Sequence, residues 1–306
     1  MSPDSHQTRL IYDAFVAAAS VPPSLRLISD PVRWRLLREL ADSDLRVREL
    51  VAAIGQPQNL VSYHLRQLRS GGLVTARRSN FDGRDTYYRL DLDACAQALA
   101  GAAAALHPGI PAPGITAPGI TAPGITAPGA AFPAPARAEG GRSGGGAVPY
   151  RVLFVCTGNS GRSPMAAALL RHRAGHRVHA ASAGTRPRPL HPAAAAVLRN
   201  RYRIDIRGHQ PTHVGAVAGT PFDYVISLCD KAREECPEFA GSPRRVHWSM
   251  PDPAAGPATP RATYAGFEHL AADLTTRIGY LLPALAPGFH DRGEFSAVFA
   301  ENSPRS

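Results

Sequence analysis

Lysine is almost absent from this 306-residue sequence, since Lys231 is the only lysine among its 34 basic residues. The formal net charge of +10 therefore reflects an arginine-rich composition as much as selection for an anionic partner. No run approaches the roughly 18 apolar residues of a membrane span, and the N-terminus has no basic and apolar segments typical of a secretory signal. The four cysteines are too few for a disulfide scaffold and are more typical of buried, metal-binding or catalytic thiols in a reducing compartment. These absences predict a cytoplasmic protein without a membrane segment.

A break in composition divides the chain into two modules. Residues 101–148 are nearly all Ala, Gly and Pro, and residues 113–129 repeat the unit PGITA. Proline and glycine at this density disfavour helix and strand pairing, which predicts a tether without a core of its own. The predicted order is an N-terminal extension, a first domain, a linker, a second domain and a tail, with bounds at 1–22, 23–100, 101–148, 149–287 and 288–306.

The first domain has the element order of a winged helix-turn-helix, an α+β fold. Apolar residues at helical spacing predict helices over 31–40, 45–55 and 59–72. Two β-prone runs then flank the turn signal Asp82-Gly83, and another helix follows. In this arrangement the third helix enters the DNA major groove and the hairpin reaches a phosphate. The candidate DNA contacts are Asn59, Ser62, Tyr63, His64, Arg66 and Gln67 on the helix, with Arg77, Arg78 and Arg84 on the hairpin. A small helical domain with ordinary surface arginines is the alternative.

The stretch VSYHLRQLRSGGLV between turn and hairpin resembles the arsenic-repressor (ArsR/SmtB) family of metalloregulators, over roughly residues 24–95. The resemblance implies a homodimer that forms through this domain and binds a palindromic double-stranded DNA operator. Arsenic-sensing members carry a Cys-x-Cys run before the turn, where this sequence has Arg46 and Arg48. A guanidinium cannot ligate arsenite or a metal, and the lone Cys95 is more typical of packing than of sensing. We therefore predict no metal site.

Strands and helices alternate in the second domain, which predicts an α/β fold with a four-stranded parallel sheet. The predicted strands are 150–155, 178–184, 222–228 and 244–248, and the predicted helices are 163–175, 191–200 and 263–285. The twelve histidines show no metal-ligand spacing with paired cysteines, so they are interpreted as solvated surface residues.

The segment between the first strand and its helix carries the candidate chemistry. Its residues are Cys156, Thr157, Gly158, Asn159, Ser160, Gly161, Arg162 and Ser163. The backbone N–H groups of such a loop at a helix N-terminus can surround one tetrahedral oxyanion, and Arg162 can bind two of its oxygens. The same positive field favours the nucleophilic thiolate of Cys156. We expect Ser163 to hydrogen-bond this sulfur, Asn159 to hold the turn, and Ser182 to support the loop.

The loop resembles that of low-molecular-weight protein tyrosine phosphatases and of the arsenate reductases built on the same fold, and the resemblance spans nearly all of 149–285. Such enzymes take a general acid from a distant Asp-Pro, which matches Asp252-Pro253. The phosphatases usually place aromatic residues after it, whereas this sequence continues Ala-Ala-Gly. Cys229 and Cys236, in SLCDKAREECP, resemble the two further cysteines of the thioredoxin-coupled arsenate reductases. Many relatives carry a second loop cysteine at the position of Gly161, a departure that should still allow the loop to close.

The resemblance implies a three-cysteine relay from arsenate to arsenite. Cys156 would attack arsenate, Asp252 would help water leave, and Cys229 and Cys236 would end as a disulfide for thioredoxin or a small thiol, with no bound cofactor. Seven helical residues rise about 10.5 Å, beyond the roughly 7 Å that a disulfide allows, so the segment between these cysteines must unwind. The implied protein is an arsenate reductase fused to a repressor. The alternatives are a tyrosine phosphatase tethered to a DNA-binding domain, and a regulator whose second domain senses an oxyanion or redox state.

Overall fold

The structure is a computed structural model that describes residues 21–107, 150–255 and 259–285. Most of the predicted N-terminal extension, the predicted linker from residue 108 onwards and the predicted tail lie outside the described residues. The chain divides into two compact units, an N-terminal and a C-terminal one. No helix within the described ranges combines the length and the apolar character needed to cross a bilayer.

The N-terminal unit combines short helices with a small antiparallel sheet. Its elements are α1 (Pro23–Ile28), α2 (Pro31–Leu40), β1 (Leu45–Arg46), α3 (Val47–Ile54), α4 (Gln58–Ser70), β2 (Val74–Arg78), β3 (Thr86–Leu90) and α5 (Leu92–Leu106). The strand order is β1-β3-β2, with Val74 opposite Leu90 in the hairpin and Leu45 opposite Tyr88. This order confirms the predicted winged helix-turn-helix.

Three details of this unit differ from the prediction. Residues 45–46, predicted as the start of a helix, are extended because they pair with β3. Helix α1 was not predicted at all. Helix α5 runs to Leu106, into the segment assigned to the linker, because residues 101–106 are Ala-rich and the next proline is Pro108.

The core of the N-terminal unit lies where α2, α3 and α4 meet. Leu36, Leu50 and Leu65 are fully buried there, each contributing roughly 2 kcal/mol of transfer free energy. Helix α4 buries Val61, Leu65 and Leu68 at helical spacing. These contacts hold α4 against the unit and leave its other face exposed.

The C-terminal unit is built on a sheet of four strands. Its elements are β4 (Tyr150–Cys156), α6 (Arg162–Ala174), β5 (Val178–Gly184), α7 (Pro192–Tyr202), β6 (Tyr224–Ser227), α8 (Asp230–Glu235), β7 (Arg244–His247) and α9 (Pro260–Leu285). The strand order is β5-β4-β6-β7 and every pairing is parallel. The predicted four-stranded parallel sheet is confirmed, with strand and helix ends within three residues of the predicted ones.

The central strand β4 explains why the unit has an uninterrupted core. Residues 152–155 are fully buried, because a central parallel strand is covered on both faces and needs a continuous apolar run. All four strands run the same way, so their carboxyl ends lie at one edge of the sheet. Cys156 ends β4, Cys229 follows β6, and Asp252 follows β7. Open parallel sheets bind ligands at this edge.

Asp30 caps the N-terminus of helix α2. The Asp30 carboxylate accepts hydrogen bonds from the N–H groups of Val32 (3.0 Å) and Arg33 (2.9 Å). Burial raises the pKa of Asp30, but these hydrogen bonds and the charges of Arg33 and His64 outweigh it and hold the pKa below its usual value. The stabilisation is therefore present at neutral pH and lost as the pH falls through the lowered pKa.

Replacing the cap should destabilise the N-terminal unit. We expect Asp30→Ala to cost about 1 kcal/mol, and Asp30→Asn much less because asparagine caps equally well. Amide hydrogen exchange of peptides covering α2 in the full chain measures the difference. Equal exchange rates in the two variants would contradict the capping role.

Candidate active site

The loop between β4 and α6 is held by the segment that follows β5. Four loop carbonyls accept hydrogen bonds from backbone N–H groups of residues 185–191. The pairs are Thr185 to Cys156 (3.2 Å), Arg186 to Thr157 (2.8 Å), Arg188 to Gly158 (2.9 Å) and His191 to Ser160 (2.8 Å). Because the C=O and N–H of a peptide point in opposite directions, these bonds turn loop N–H groups towards the other side. A tetrahedral oxyanion can accept hydrogen bonds there, at the N-terminus of α6.

Cys156 lies at the base of this loop with two polar groups on its sulfur. The Asn159 N–H donates to Cys156 Sγ at 3.2 Å, and Ser163 Oγ lies 3.0 Å from the same atom. Ser163 Oγ is also within 3.2 Å of the Ala183 carbonyl oxygen. A hydroxyl has one proton, and a thiolate competes for it better than a neutral carbonyl. The geometry agrees with the predicted contact between Ser163 and the sulfur.

Asn159 holds the turn of the loop. Its φ of 47° is left-handed, a conformation that asparagine adopts more readily than most residues. Its Nδ2 donates to Ser163 Oγ and Ser182 Oγ, both at 3.0 Å. Its Oδ1 accepts from the Thr212 N–H at 2.8 Å. The contacts expected of Asn159 and Ser182 are therefore present.

His209 contacts the same asparagine and was missed by the sequence analysis. Its Nε2 lies 3.1 Å from the Asn159 carbonyl oxygen and 3.2 Å from Asn159 Oδ1. Burial lowers the pKa of His209, which favours the neutral ring. Both neighbouring atoms are acceptors, so these two contacts require the tautomer with its proton on Nε2. No sequence motif marks this histidine, because it is brought to the loop from a distant segment.

The interpretation of all histidines as solvated surface is wrong for four of them within the described residues. His247 is 2% exposed and His64 is 7% exposed, while His191 and His209 are partly buried. Tertiary packing determines which histidine side chains are buried, because residues from other elements contact each of these rings. Across the described ranges, no group of three or more His, Cys, Asp or Glu is arranged to hold a metal ion.

The predicted arginine and acid reach the same cavity as the thiol. Cys156, Arg162, Asp252 and Cys229 all line it. Arg162 donates from one guanidinium nitrogen to the Met250 carbonyl at 3.2 Å, which ties it to the segment that carries the acid. Asp252 is exposed, and its Oδ1 accepts the Ala254 N–H at 3.1 Å. The arrangement brings the residues predicted as nucleophile, oxyanion binder and proton donor to one cavity.

Phe267 explains why a glycine follows Ser160. A Cβ on Gly161 would lie 2.9 Å from the Phe267 ring, so the ring occupies the space that a larger residue would need. Phe267 also stacks on His191, with ring centroids 4.6 Å apart. Because Phe267 is only 1% exposed, it offers little ring surface for a substrate phenyl group.

The two further cysteines flank α8 on either side. Cys229 is buried, and its sulfur lies 3.3 Å from Thr157 Oγ1, beside the oxyanion loop. Cys236 follows the last helical residue, and burial raises the pKa of its thiol to about 11. Both are free thiols. Cys236 is therefore protonated at neutral pH. Helix α8 separates Cys236 from Cys229, and the sequence predicted this helical segment.

Eight of the nine candidate DNA contacts are at least partly accessible to solvent. Asn59, Tyr63, Arg66, Arg78 and Arg84 are exposed, and Ser62, Gln67 and Arg77 are partly buried.

His64 is the exception, because it is buried on α4. It stands three residues after Val61 and four before Leu68, so helical geometry turns it towards the core. The prediction of His64 as a DNA contact is therefore wrong.

The arginines that replace the sensor cysteines form ion pairs. Arg46 and Arg48 lie 3.1 Å and 3.0 Å from Asp85, and Arg46 lies 2.8 Å from Glu49. They link the start of α3 to the hairpin turn. Cys95 is partly buried and packs against the core, and burial raises its pKa to about 11.

Comparison with known proteins gives two family matches. Residues 151–287 match the family described as low molecular weight phosphotyrosine protein phosphatase, and residues 30–76 match the family described as bacterial regulatory protein, arsR family. An arsenate reductase of Bacillus licheniformis is 32% identical over 127 residues, which cover 42% of this chain and 91% of that protein. An arsenate reductase of Shouchella clausii is 30% identical with the same coverage. The structure of a low molecular weight protein tyrosine phosphatase from T. tengcongensis is 27% identical, covers 44% of this chain and 99% of its own, and has a TM-score of 0.37.

Gly184 provides a test of the loop geometry. A Cβ there would lie 2.8 Å from the Asn159 nitrogen and 2.8 Å from the Thr157 oxygen, both backbone atoms. We expect Gly184→Ala to weaken the binding of inorganic phosphate about tenfold or more, because the loop must shift, and to cost about 1–3 kcal/mol of stability. Calorimetric titration with phosphate measures the first effect.

Gly208→Ala is the matched control, since nothing lies within 4 Å of a Cβ at that position. Unchanged phosphate binding in Gly184→Ala would show that the close contact does not hold the loop.

Proposed function

The chain belongs to the low molecular weight phosphotyrosine protein phosphatase family through residues 151–287 and to the ArsR regulatory family through residues 30–76, and we propose that it is an arsenate reductase fused to a DNA-binding transcriptional regulator. The observation that carries this proposal is the order of the thiols. Cys156 lies in the oxyanion loop, Cys229 lies against Thr157 of that loop, and Cys236 lies beyond α8. A phosphatase needs the first sulfur only, whereas a reductase also needs the others.

The first step forms a bond between sulfur and arsenic. Arsenate binds to the loop N–H groups and Arg162, and the Cys156 thiolate attacks arsenic. Asp252 donates a proton to the departing oxygen, which leaves as water. The product is a Cys156 thioester of arsenate, still at the As(V) level.

The next two steps transfer the oxidation from Cys156 to the pair Cys229 and Cys236. Cys229 attacks the sulfur of Cys156, the S–As electron pair goes to arsenic, and arsenite leaves. Cys236 then attacks Cys229, the Cys156–Cys229 bond breaks, and a Cys229–Cys236 disulfide remains. Two thiols lose two electrons in total and arsenic gains them, so no bound cofactor is needed. The dithiol of thioredoxin, or two molecules of a small thiol, then reduces the disulfide.

The N-terminal unit supplies the regulatory half of the proposal. Its α4 and hairpin present polar and basic side chains to an operator, and two copies form a dimer through this unit. Exposed apolar side chains support a dimer contact, since Trp34, Leu99 and Leu106 are 49%, 46% and 76% exposed. The cytoplasm is the compartment that offers both DNA and reduced thiols.

A phosphatase with the same loop remains the second candidate, because Cys156, Arg162 and Asp252 suffice for hydrolysis of an aryl phosphate. That activity would not depend on Cys229 or Cys236. Weak phosphatase activity alone therefore does not separate the two functions, and the fate of the two further thiols does.

Cys236→Ser gives the decisive measurement. We expect one arsenite per enzyme molecule and then a stop, with steady-state arsenate reduction lowered on the order of a hundredfold or more, because the last disulfide cannot form. The assay couples arsenate, thioredoxin, thioredoxin reductase and NADPH consumption. Cys95→Ser, which removes a thiol outside the site, is the control and should cycle normally. A Cys236→Ser protein that cycles at the parental rate would exclude the relay.

The proposed DNA contacts are tested by the salt dependence of the DNA-binding constant. Arg66→Ala and Arg78→Ala should each weaken binding to a mixed-sequence duplex and reduce the slope of log K against log salt by about one, because each removes one phosphate contact. Arg38→Ala removes the same charge from an exposed site on α2 and should leave the slope unchanged. Equal slopes in all three variants would contradict the predicted surface.

A further inference from the structure

Helix α8 separates the two relay cysteines, and a carboxylate anchors it at each end. Asp230 is its first residue and Glu235 its last. The proposed relay requires Cys229 and Cys236 to meet, so at least one anchor must release. The two anchors differ in burial, and this difference decides which end of the helix moves.

The first anchor is buried. The Asp230 side chain is completely inaccessible and accepts a hydrogen bond from Ser249 Oγ at 2.6 Å. His247 Nε2 lies 3.1 Å from the same carboxylate, and His247 Nδ1 lies 2.9 Å from Ser227 Oγ. Breaking such an anchor leaves a buried carboxyl group without its hydrogen-bond partners, which is strongly unfavourable. The Cys229 end of α8 therefore stays in place.

The second anchor lies at the surface. Glu235 accepts a hydrogen bond from Thr185 Oγ1 at 2.9 Å and pairs with Arg186 at 3.0 Å and Lys231 at 4.0 Å. The side chains of Glu235, Arg186 and Lys231 are 26%, 61% and 38% exposed. Water can replace these contacts when they break, so this end releases at a much lower cost.

The second anchor also ties α8 to the oxyanion loop. The backbone N–H groups of Thr185 and Arg186 bind the carbonyls of Cys156 and Thr157. Glu235 therefore fixes the end of α8, and with it Cys236, relative to the segment that supports the nucleophile. In this position the Cys236 thiol is protonated, because burial raises its pKa to about 11, and it is a weak nucleophile.

We propose that Glu235 is a latch that holds Cys236 away from Cys229, and that α8 unwinds from its Glu235 end when the relay disulfide forms. Glu235 is a positioning residue that acts through Cys236, and the proposal rests on the relay described above. On release, Cys236 loses its proton to solvent and its thiolate attacks the Cys229 sulfur of the Cys156–Cys229 disulfide. The new bond forms as the old one breaks, and Cys156 departs as a thiolate.

The test measures the disulfide directly, without arsenate. Full-length protein is equilibrated in mixtures of reduced and oxidised dithiothreitol, and the Cys229–Cys236 disulfide is quantified by peptide mass spectrometry. Glu235→Gln should raise the ratio of disulfide to dithiol about two- to fivefold, because the dithiol state loses its surface anchor. Arg186→Gln should raise the ratio in the same direction, and the double variant should give less than the sum of the two effects, because both substitutions remove the Glu235–Arg186 pair.

Glu234→Gln is the matched control. It makes the same charge change at an exposed neighbouring position of α8, so it shares any effect on the helix dipole. The ratio of Cys229–Cys236 disulfide to dithiol in this variant should stay at the wild-type value. Alkylation of Cys236 should be faster in Glu235→Gln, whereas alkylation of Cys156 and hydrolysis of an aryl phosphate should not change.

Three results would overturn the latch. They are an unshifted ratio in Glu235→Gln, an equal shift in Glu234→Gln, and a loss of Cys156 reactivity in Glu235→Gln, which would assign the residue to support of the loop. A wild-type protein that forms no Cys229–Cys236 disulfide at any dithiothreitol ratio would instead overturn the relay itself. The failure of the latch and the failure of the proposed function are therefore distinguishable.

Discussion

The hydrogen bonds between the oxyanion loop and the segment after β5 are the constraint on which the C-terminal site depends. They direct four loop carbonyls towards residues 185–191, which predicts that loop N–H groups on the other side form an anion-binding site. Asn159 completes the arrangement by bonding to Ser163, Ser182 and Thr212 at once. The sulfur of Cys156 then lies where the loop donors and the helix terminus converge. The same segment carries Thr185 and Arg186, so the loop and α8 share one support.

The parallel sheet explains how groups far apart in sequence reach this loop. Each strand delivers its following residues to one edge, which brings Cys156, Cys229 and Asp252 to a common cavity. The buried Asp230 and the surface Glu235 then give α8 one firm end and one releasable end. The proposed relay requires such asymmetry, because release at both ends of α8 would lose the position of Cys229.

Much of the fold could be predicted from the sequence because its signals are local. The apolar run of β4, the helical spacing of Val61, Leu65 and Leu68, and the Asp82-Gly83 turn each act within a few residues. Cys156 and Arg162 could also be identified from the sequence, because both lie in the same short loop. His64 could not be placed correctly, because its polar character favours the surface while its position on α4 turns it inwards. The strand at Leu45-Arg46 likewise exists only because β3 lies beside it.

The sequence by itself determined the two modules, the order of their elements, the oxyanion loop and the spacing of the relay cysteines. The tertiary structure alone decided which histidines are buried, that His209 and Thr212 support Asn159, and how the two ends of α8 are held. The physical reason is distance along the chain. The apolar periodicity of helices and strands and the residue types of turns depend on neighbouring residues. Hydrogen bonds between segments 20 to 50 residues apart form only after the sheet has brought those segments together.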